Sequence, residues 1–170
     1  NISFDNLSQE LFESLINLFQ SAFNGSLDNI YISSKILNQE ILNSLFFSLR
    51  MFILTVGANI QNNSITDILV SFLCPHLNVK KPMIKAYIAN MYGIMFFAAS
   101  DMKQIGNMAI DICYKTMTKK NDFVNNILIS TLNYIIISDK NLFNGNQINL
   151  LKNQCDAIIA NRDSMDSFIV

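Results

Sequence analysis

Three stretches of the chain lack charged side chains for 15 or 16 residues, and they constrain its fold most. They are Met51–Thr66, Ala86–Ser100 and Phe123–Ser138. A helix that spans a bilayer needs about 20 apolar residues in a row, whereas each of these stretches is shorter and contains asparagine or serine. Strands are usually about 3–10 residues long, so the length of the stretches favours helices. They therefore predict buried helices of a folded core and no membrane span.

The composition narrows the class of protein. Of the 170 residues, 51% are hydrophobic and 15% are charged, and the formal net charge is −1. High apolar content at low net charge excludes intrinsic disorder, and it indicates either a large core or a face buried against another molecule. The near-neutral charge argues against a nucleic-acid partner, which requires a basic surface. We expect one domain over residues 1–170.

Apolar periodicity and turn signals predict about seven or eight helices, seven of them with clear bounds, and no strand, so the expected fold class is all-α. The helices are Asp5–Phe23, Ile36–Ile60, Ile65–Leu77, Met83–Ala99, Met102–Thr118, Phe123–Ile137 and Gln147–Ala160. Gly57 marks a helix end, and Pro82 suits a first helical position. Ser100 or Asp101 is the expected cap of the fifth helix.

A shift of the sequence against itself by forty residues superimposes turns and apolar positions. Lys80-Lys81 falls on Lys120-Asn121, and Phe96 falls on Ile136. Such a period indicates repeated units of a helix, a short turn and a longer helix. The expected units cover residues 27–60, 64–100, 101–143 and 144–165. The predicted architecture is therefore a short α-solenoid of stacked antiparallel helix pairs.

The segment Leu69–Met95, LVSFLCPHLNVKKPMIKAYIANMYGIM, resembles HEAT and armadillo repeats. Lys85 and Ala89 hold the basic and small positions of the second helix, and Asp122 holds a turn position in the next unit. The resemblance implies a non-enzymatic scaffold or adaptor that binds protein partners in a larger intracellular assembly, cytoplasmic or nuclear. A stack without polar end caps also leads us to expect a fragment of a longer chain.

A compact helical bundle is the alternative architecture. Its central apolar helix would be Ile41–Ala58 or Ala86–Ala99, wrapped by amphipathic helices. That architecture would suit a viral or parasite protein, either a Bcl-2-like host-binding module or a coat-type subunit. A third possibility is a membrane-active helical protein. Central-helix packing favours the bundle, and contacts only between neighbouring pairs favour the solenoid.

The sequence offers weak evidence for catalysis or metal binding. His76, the only histidine, lies two residues from Cys74, and residues two apart on a helix do not face each other. Three distant cysteines, Cys74, Cys113 and Cys155, do not have zinc-site or disulfide spacing, so we expect free buried thiols. The five glycines form no phosphate-binding loop. We therefore expect neither catalytic nor metal-binding residues, and no cofactor.

Two surfaces are the predicted sites for a partner. The forty-residue register aligns the row Phe46, Arg50, Ile53 with the row Ala86, Asn90, Gly93 and with the row Asn126, Ser130, Asn133. The polar middle positions Arg50, Asn90 and Ser130 would either bind an extended peptide or tie the units together inside the fold. The turn lysines would form a basic ridge for an acidic segment or would simply be solvated. These lysines are Lys80, Lys81, Lys119 and Lys120.

The same register predicts which side chains of the second helices form the core. The predicted core residues are Phe47, Met51, Phe52, Ile88, Met91, Tyr92, Phe96, Leu128, Leu132 and Ile136.

Overall fold

The fold is all-α, as the sequence predicts. A computed structural model describes residues 10, 11, 13, 14, 16–18, 20, 21, 35–57, 63–78, 80–117, 122–153 and 156. The helices are α1 (Lys35–Val56), α2 (Asn63–Leu73), α3 (Pro82–Ala98), α4 (Lys103–Thr116), α5 (Asp122–Asp139) and α6 (145–153). Short 3-10 helices cover Cys74–Asn78 and Lys140–Leu142. The described residues between 10 and 21 are also helical, and no described residue belongs to a strand.

Glycine and proline set two helix ends where the sequence signals place them. α1 ends at Val56 because Gly57 adopts a left-handed conformation with φ of +55°, which glycine tolerates best. Pro82 opens α3, where its missing N–H costs no helical hydrogen bond. The sequence predicts a continuation of α1 to Ile60, and residues 58–60 lie outside the described residues.

Other helix ends differ from the prediction for local reasons. α2 ends at Leu73, and the chain tightens into the 3-10 helix that contains Pro75 instead of continuing as an α-helix to Leu77. The cap position of α4 is Met102, without a side-chain cap hydrogen bond, so the predicted cap at Ser100 or Asp101 is wrong.

The last described helix starts earlier than predicted, because Asn144 and Gln147 form a reciprocal capping box. The Gln147 backbone N–H donates to Asn144 Oδ1 at 2.9 Å, and the Asn144 backbone N–H donates to Gln147 Oε1 at 3.0 Å. Each bond satisfies a backbone N–H at the helix start. The Tyr114 hydroxyl donates to the Gln147 carbonyl at 2.6 Å and so ties α6 to α4.

The core is built around α3, which packs against α1, α4 and α5. Eleven residues of α3 between Ile84 and Phe96 are buried, so the helix is covered on every side. Its packing against α4 is close, since a Cβ at Gly106 would lie 3.0 Å from the Phe96 ring. Six predicted core residues are confirmed as buried. They are Ile88, Met91, Tyr92, Phe96, Leu128 and Leu132.

The predicted core face of α1 is wrong. Phe47 is 61% exposed and Met51 is 47% exposed, whereas Phe46, Leu49 and Ile53 are buried. These buried residues follow the i, i+3, i+7 spacing of one helix face, and each residue along a helix turns by about 100°. A register one residue away therefore selects a different face. Phe52 and Ile136, also predicted as core, are only partly buried.

The described residues between 10 and 21, within the predicted helix Asp5–Phe23, are mostly exposed. Leu11 and Leu18 are exposed, and Ile16 is the described buried residue of this segment. In the described part of the chain, no helix is both long and apolar enough to cross a lipid bilayer.

Candidate functional site

A groove runs between α1 and α5, with α3 as its floor. Its volume is about 370 Å³. α1 contributes Asn43, Phe46, Phe47 and Arg50, α3 contributes Tyr87, Asn90 and Met91, and α5 contributes Phe123, Asn126, Ile127 and Ser130. These eleven side chains are mostly aromatic, aliphatic or amide, and Arg50 is the only charged one among them.

Close contacts fix α5 beside α3. The Asn90 amide donates to Thr131 Oγ1 at 3.0 Å, and Thr131 Oγ1 also donates to the Ile127 carbonyl at 2.8 Å. A Cβ on Gly93 would lie only 2.7 Å from Thr131 Cγ2, so glycine permits the approach. Further along, the rings of Phe97 and Tyr134 lie 5.4 Å apart. The residue numbers at these contacts increase on both helices, from Asn90 and Thr131 to Phe97 and Tyr134. α3 and α5 therefore run in the same direction.

An aromatic stack holds α1 against α3. The rings of Phe46 and Tyr87 lie 4.6 Å apart, nearly parallel at 14°. The Tyr87 hydroxyl donates to Asn43 Oδ1, and partial burial raises the pKa of Tyr87 above its ordinary value. Tyr87 therefore remains a neutral hydrogen-bond donor, and it aligns the wall formed by α1 with the groove floor.

Arg50 reaches from α1 to α5 across the groove. Its Nη2 donates to the Tyr134 hydroxyl, and its guanidinium carbon lies 5.5 Å from the centre of the Tyr134 ring. Arg50 Nε is buried and has no hydrogen-bond partner in the described residues. The positive charge of Arg50, which lines the groove, attracts an anion to this end of it.

Exposed apolar side chains border the groove on both walls. Phe47 on α1 and Phe123 on α5, here called the two rims, are 61% and 49% exposed. Beyond Tyr134, the exposed side chains of Phe97 and Ile137 extend the apolar surface along α3 and α5. Large exposed apolar side chains that border a groove commonly mark a place where another molecule binds.

Four of the site residues predicted from sequence line this groove: Arg50, Asn90, Asn126 and Ser130. Asn133 is exposed and does not line it. Lys80 and Lys81 are exposed in the turn before α3 and are not lining residues either. The other two predicted lysines, Lys119 and Lys120, lie outside the described residues.

The apolar residues of the predicted rows do not lie on a surface beside the polar ones. Phe46, Ile53 and Ala86 were expected beside the polar positions on one surface, yet all three are buried in the core. Asn90 is itself only 7% exposed and forms the floor of the groove through its bond to Thr131. Sequence reasoning missed the rims and Tyr134, because aromatic residues on an apolar helix resemble core residues.

Burial is the main cause of the pKa shifts of three groups outside the groove. Burial raises the pKa of Tyr92 and of Cys113, and it raises that of Tyr114 to about 12. Cys113 is buried as expected, and its thiol donates to the Leu128 carbonyl at 3.7 Å. Cys74 is exposed, contrary to the expectation of buried thiols, and Cys155 lies outside the described residues.

The Cys74–His76 pair does not form a metal site with other described residues. The His76 ring contacts Phe72 edge to face at 5.8 Å, and burial lowers the His76 pKa. No group of three or more His, Cys, Asp or Glu side chains within the described ranges is placed to hold a metal ion.

Comparison with protein-family models, with curated proteins and with solved structures gives no match. The groove and the packing around it are therefore the features that bear on function.

Proposed function

We propose that the chain is a non-enzymatic protein-binding module of a larger intracellular assembly, and that its partner docks a helix in the groove between α1 and α5. One observation carries the proposal: aromatic rims and an arginine without an acidic partner among the described residues border the same groove. Aromatic residues and arginine dominate the binding energy of protein interfaces.

The shape of the groove supports a macromolecular partner over a small ligand. Phe47 and Phe123 stand partly in solvent on opposite rims, so a ligand enclosed at the floor would leave them uncovered. The backbone of all three lining helices is hydrogen-bonded within the helices, so no strand edge is offered for an extended peptide. A partner helix laid along the groove would contact both rims and the floor with successive side chains.

The lining chemistry supports binding over catalysis. Among the described side chains that line the groove there is neither carboxylate nor imidazole nor thiol, the groups most used for proton transfer and nucleophilic attack. The amides of Asn43 and Asn126 and the hydroxyl of Ser130 are neutral groups suited to orienting a partner.

The packing of α3 favours the compact bundle over stacked helix pairs as the architecture of this module. α4 and α5 belong to one predicted unit, yet each shares a larger contact with α3 than with the other. In a stack of repeats, the largest contacts are expected within each pair and between neighbouring pairs in series. We therefore favour a bundle with α3 as its central helix, which is the alternative architecture that the sequence suggests.

A displayed library of helical peptides tests the proposed function. Peptides enriched on the wild-type protein should lose most of their affinity for Phe47→Asp and for Phe123→Asp, because a charge replaces an apolar rim contact. They should keep it for Ile148→Asp, which changes an exposed apolar residue on α6 outside the groove. Affinities are measured by isothermal titration. Enriched peptides that bind all four proteins equally, or a selection without binders, would contradict the proposal.

A further inference from the structure

We infer that the helix in the groove is amphipathic and carries an Asp or Glu that pairs with Arg50, between apolar side chains that contact Phe47 and Phe123. This inference rests on the proposed function and adds the chemical character of the partner. The occupant of the groove is a helix of another protein.

The charge of Arg50 is the first argument. Arg50 lies in the middle of an apolar stretch of α1, between the buried residues Leu49 and Ile53. The guanidinium contacts a neutral hydroxyl and an aromatic ring, both of Tyr134. The ion pairs present among the described residues involve Lys103 and Lys115. A partly buried cation without a described counter-ion therefore faces the groove.

The geometry of Arg50 selects a carboxylate. A guanidinium presents a planar fork of N–H donors that matches the two oxygens of a carboxylate. The hydroxyl of Tyr134 accepts one of these N–H groups and holds the fork across the groove. Tyr134 is in this sense a positioning residue, and Nε remains without an acceptor. Because Nε is buried, an incoming carboxylate would pair with the two terminal nitrogens of the guanidinium.

The positions around Arg50 define the rest of the partner's face. Phe47 precedes Arg50 by three residues on the same helix, and Phe123 lies on the opposite wall. A partner helix presents neighbouring side chains three and four residues apart. Apolar residues spaced in this way around one acidic residue would cover both rims and place the carboxylate at the fork.

The test uses helical peptides of about 18 residues with one apolar stripe and the other positions randomised. The expected result is enrichment of Asp or Glu at one fixed position within the stripe. Replacing that acid by its amide should weaken binding about 10- to 100-fold, as expected for a hydrogen bond to a charged group. The same loss should follow from Arg50→Met with the original peptide.

Charge reversal separates a direct pair from a structural effect. Arg50→Glu should abolish binding of the acidic peptide and restore it to a peptide with Lys at the same position. Arg50→Lys keeps the charge but loses the fork, so it should bind with intermediate affinity. Lys152→Glu makes an identical charge change at an exposed site on α6 and should leave affinity unchanged. Circular dichroism confirms that each variant is folded.

The possible failures are distinguishable. Peptides that need Phe47 and Phe123 but show no acid preference and no response to Arg50 variants would overturn this inference and leave the proposed function standing. Peptides whose affinity does not change in the Phe47 and Phe123 variants, or a selection without binders, would overturn both the inference and the proposed function.

Other occupants of the groove can also be detected. A concentration-dependent dimer that Phe47→Asp disrupts would assign the groove to a second copy. A crosslink, within a monomer, between a groove residue and another segment of the same chain would show that this chain fills its own groove. Either result would overturn the inference.

Discussion

Asn90 is a polar side chain inside the most completely buried helix, and its bond to Thr131 explains why the position tolerates it. Buried amides are costly unless they are hydrogen-bonded, and this one donates across the contact between α3 and α5 at 3.0 Å. The structure thus places Asn90 at an interhelical tie, one of the two roles that its sequence pattern suggests. Its polar neighbours in the groove, Asn126 and Ser130, differ because they are more exposed.

Asn90→Ala should lower the free energy of unfolding by about 1–2 kcal/mol, because Thr131 Oγ1 loses its donor and a buried contact is removed. Asn126→Ala, a matched change at an exposed position of the same groove, should stay within about 0.5 kcal/mol of the wild type. Urea unfolding followed by circular dichroism measures both. Equal small effects for the two variants would mean that the bond to Thr131 contributes nothing to stability.

His76 makes stability depend on pH in the weakly acidic range. Burial lowers its pKa below the ordinary value of 6.5. Above pH 6.5 the imidazole is neutral in both the folded and the unfolded state, so its contribution is fully present. As the pH falls below 6.5, the unfolded chain binds the proton more readily, and stability decreases until the folded pKa is passed.

The free energy of unfolding should therefore decrease between pH 6.5 and pH 5.5 in the wild-type protein, and less so in His76→Gln. His76 is the only histidine, so no other histidine contributes in this window. Urea unfolding at pH 7.5, 6.5 and 5.5 gives the two profiles. Parallel profiles would show that His76 has the same pKa in both states.

At the level of helices, the sequence predicts well which segments are helical. It predicts less well which face of each helix is buried. Length, Gly57 and Pro82 locate α1 and α3, because these signals act through local backbone geometry. The face of α1 could not be derived, because the forty-residue register pairs Phe47 with Tyr87, whereas Phe46 stacks on that ring. A one-residue error rotates the inferred face by about 100°, and only contacts between helices decide it.

Gly93 sets the distance between α3 and α5. An alanine Cβ at this position would lie 2.7 Å from Thr131 Cγ2, closer than real contacts allow, so either a side chain or a helix must move. Gly93→Ala should therefore destabilise the fold by about 1–3 kcal/mol, although alanine is the better helix former. Thermal unfolding monitored at 222 nm compares the variant with the wild type.

A second substitution tests the cause. Thr131→Ser removes the methyl group that Gly93→Ala would strike and keeps the hydroxyl that accepts from Asn90. In the Thr131→Ser background, Gly93→Ala should cost less than in the wild type, which a double-mutant cycle reports as a favourable coupling. Additive effects would place the strain of Gly93→Ala somewhere other than at Thr131.

On the scale of the whole molecule, sequence reasoning found the polar part of the groove but not its aromatic border. Arg50, Asn90 and Ser130 stand out because polar residues are unexpected on apolar helices. Phe47 and Phe123 do not stand out, because their exposure depends on how α1 and α5 pack beside α3. The same limit applies to the architecture: a forty-residue period is compatible with stacked pairs, and only the contacts of α3 argue for a central helix.

A central role for α3 has a measurable consequence for hydrogen exchange. Amides of a helix covered on all sides exchange only when the whole domain unfolds, whereas outer helices also exchange through local opening. Peptides from Pro82–Ala98 should therefore exchange most slowly, and their opening free energy should fall with urea at the slope of global unfolding. Peptides from Lys103–Thr116 should exchange sooner and respond less to urea. In a stack of repeats, stability is distributed along the series, and both helices of a pair open together. α2 and α3 would then be equally protected, and α4 and α5 would be equally protected as a second pair. That result would favour stacked units and remove α3 from the centre of the fold.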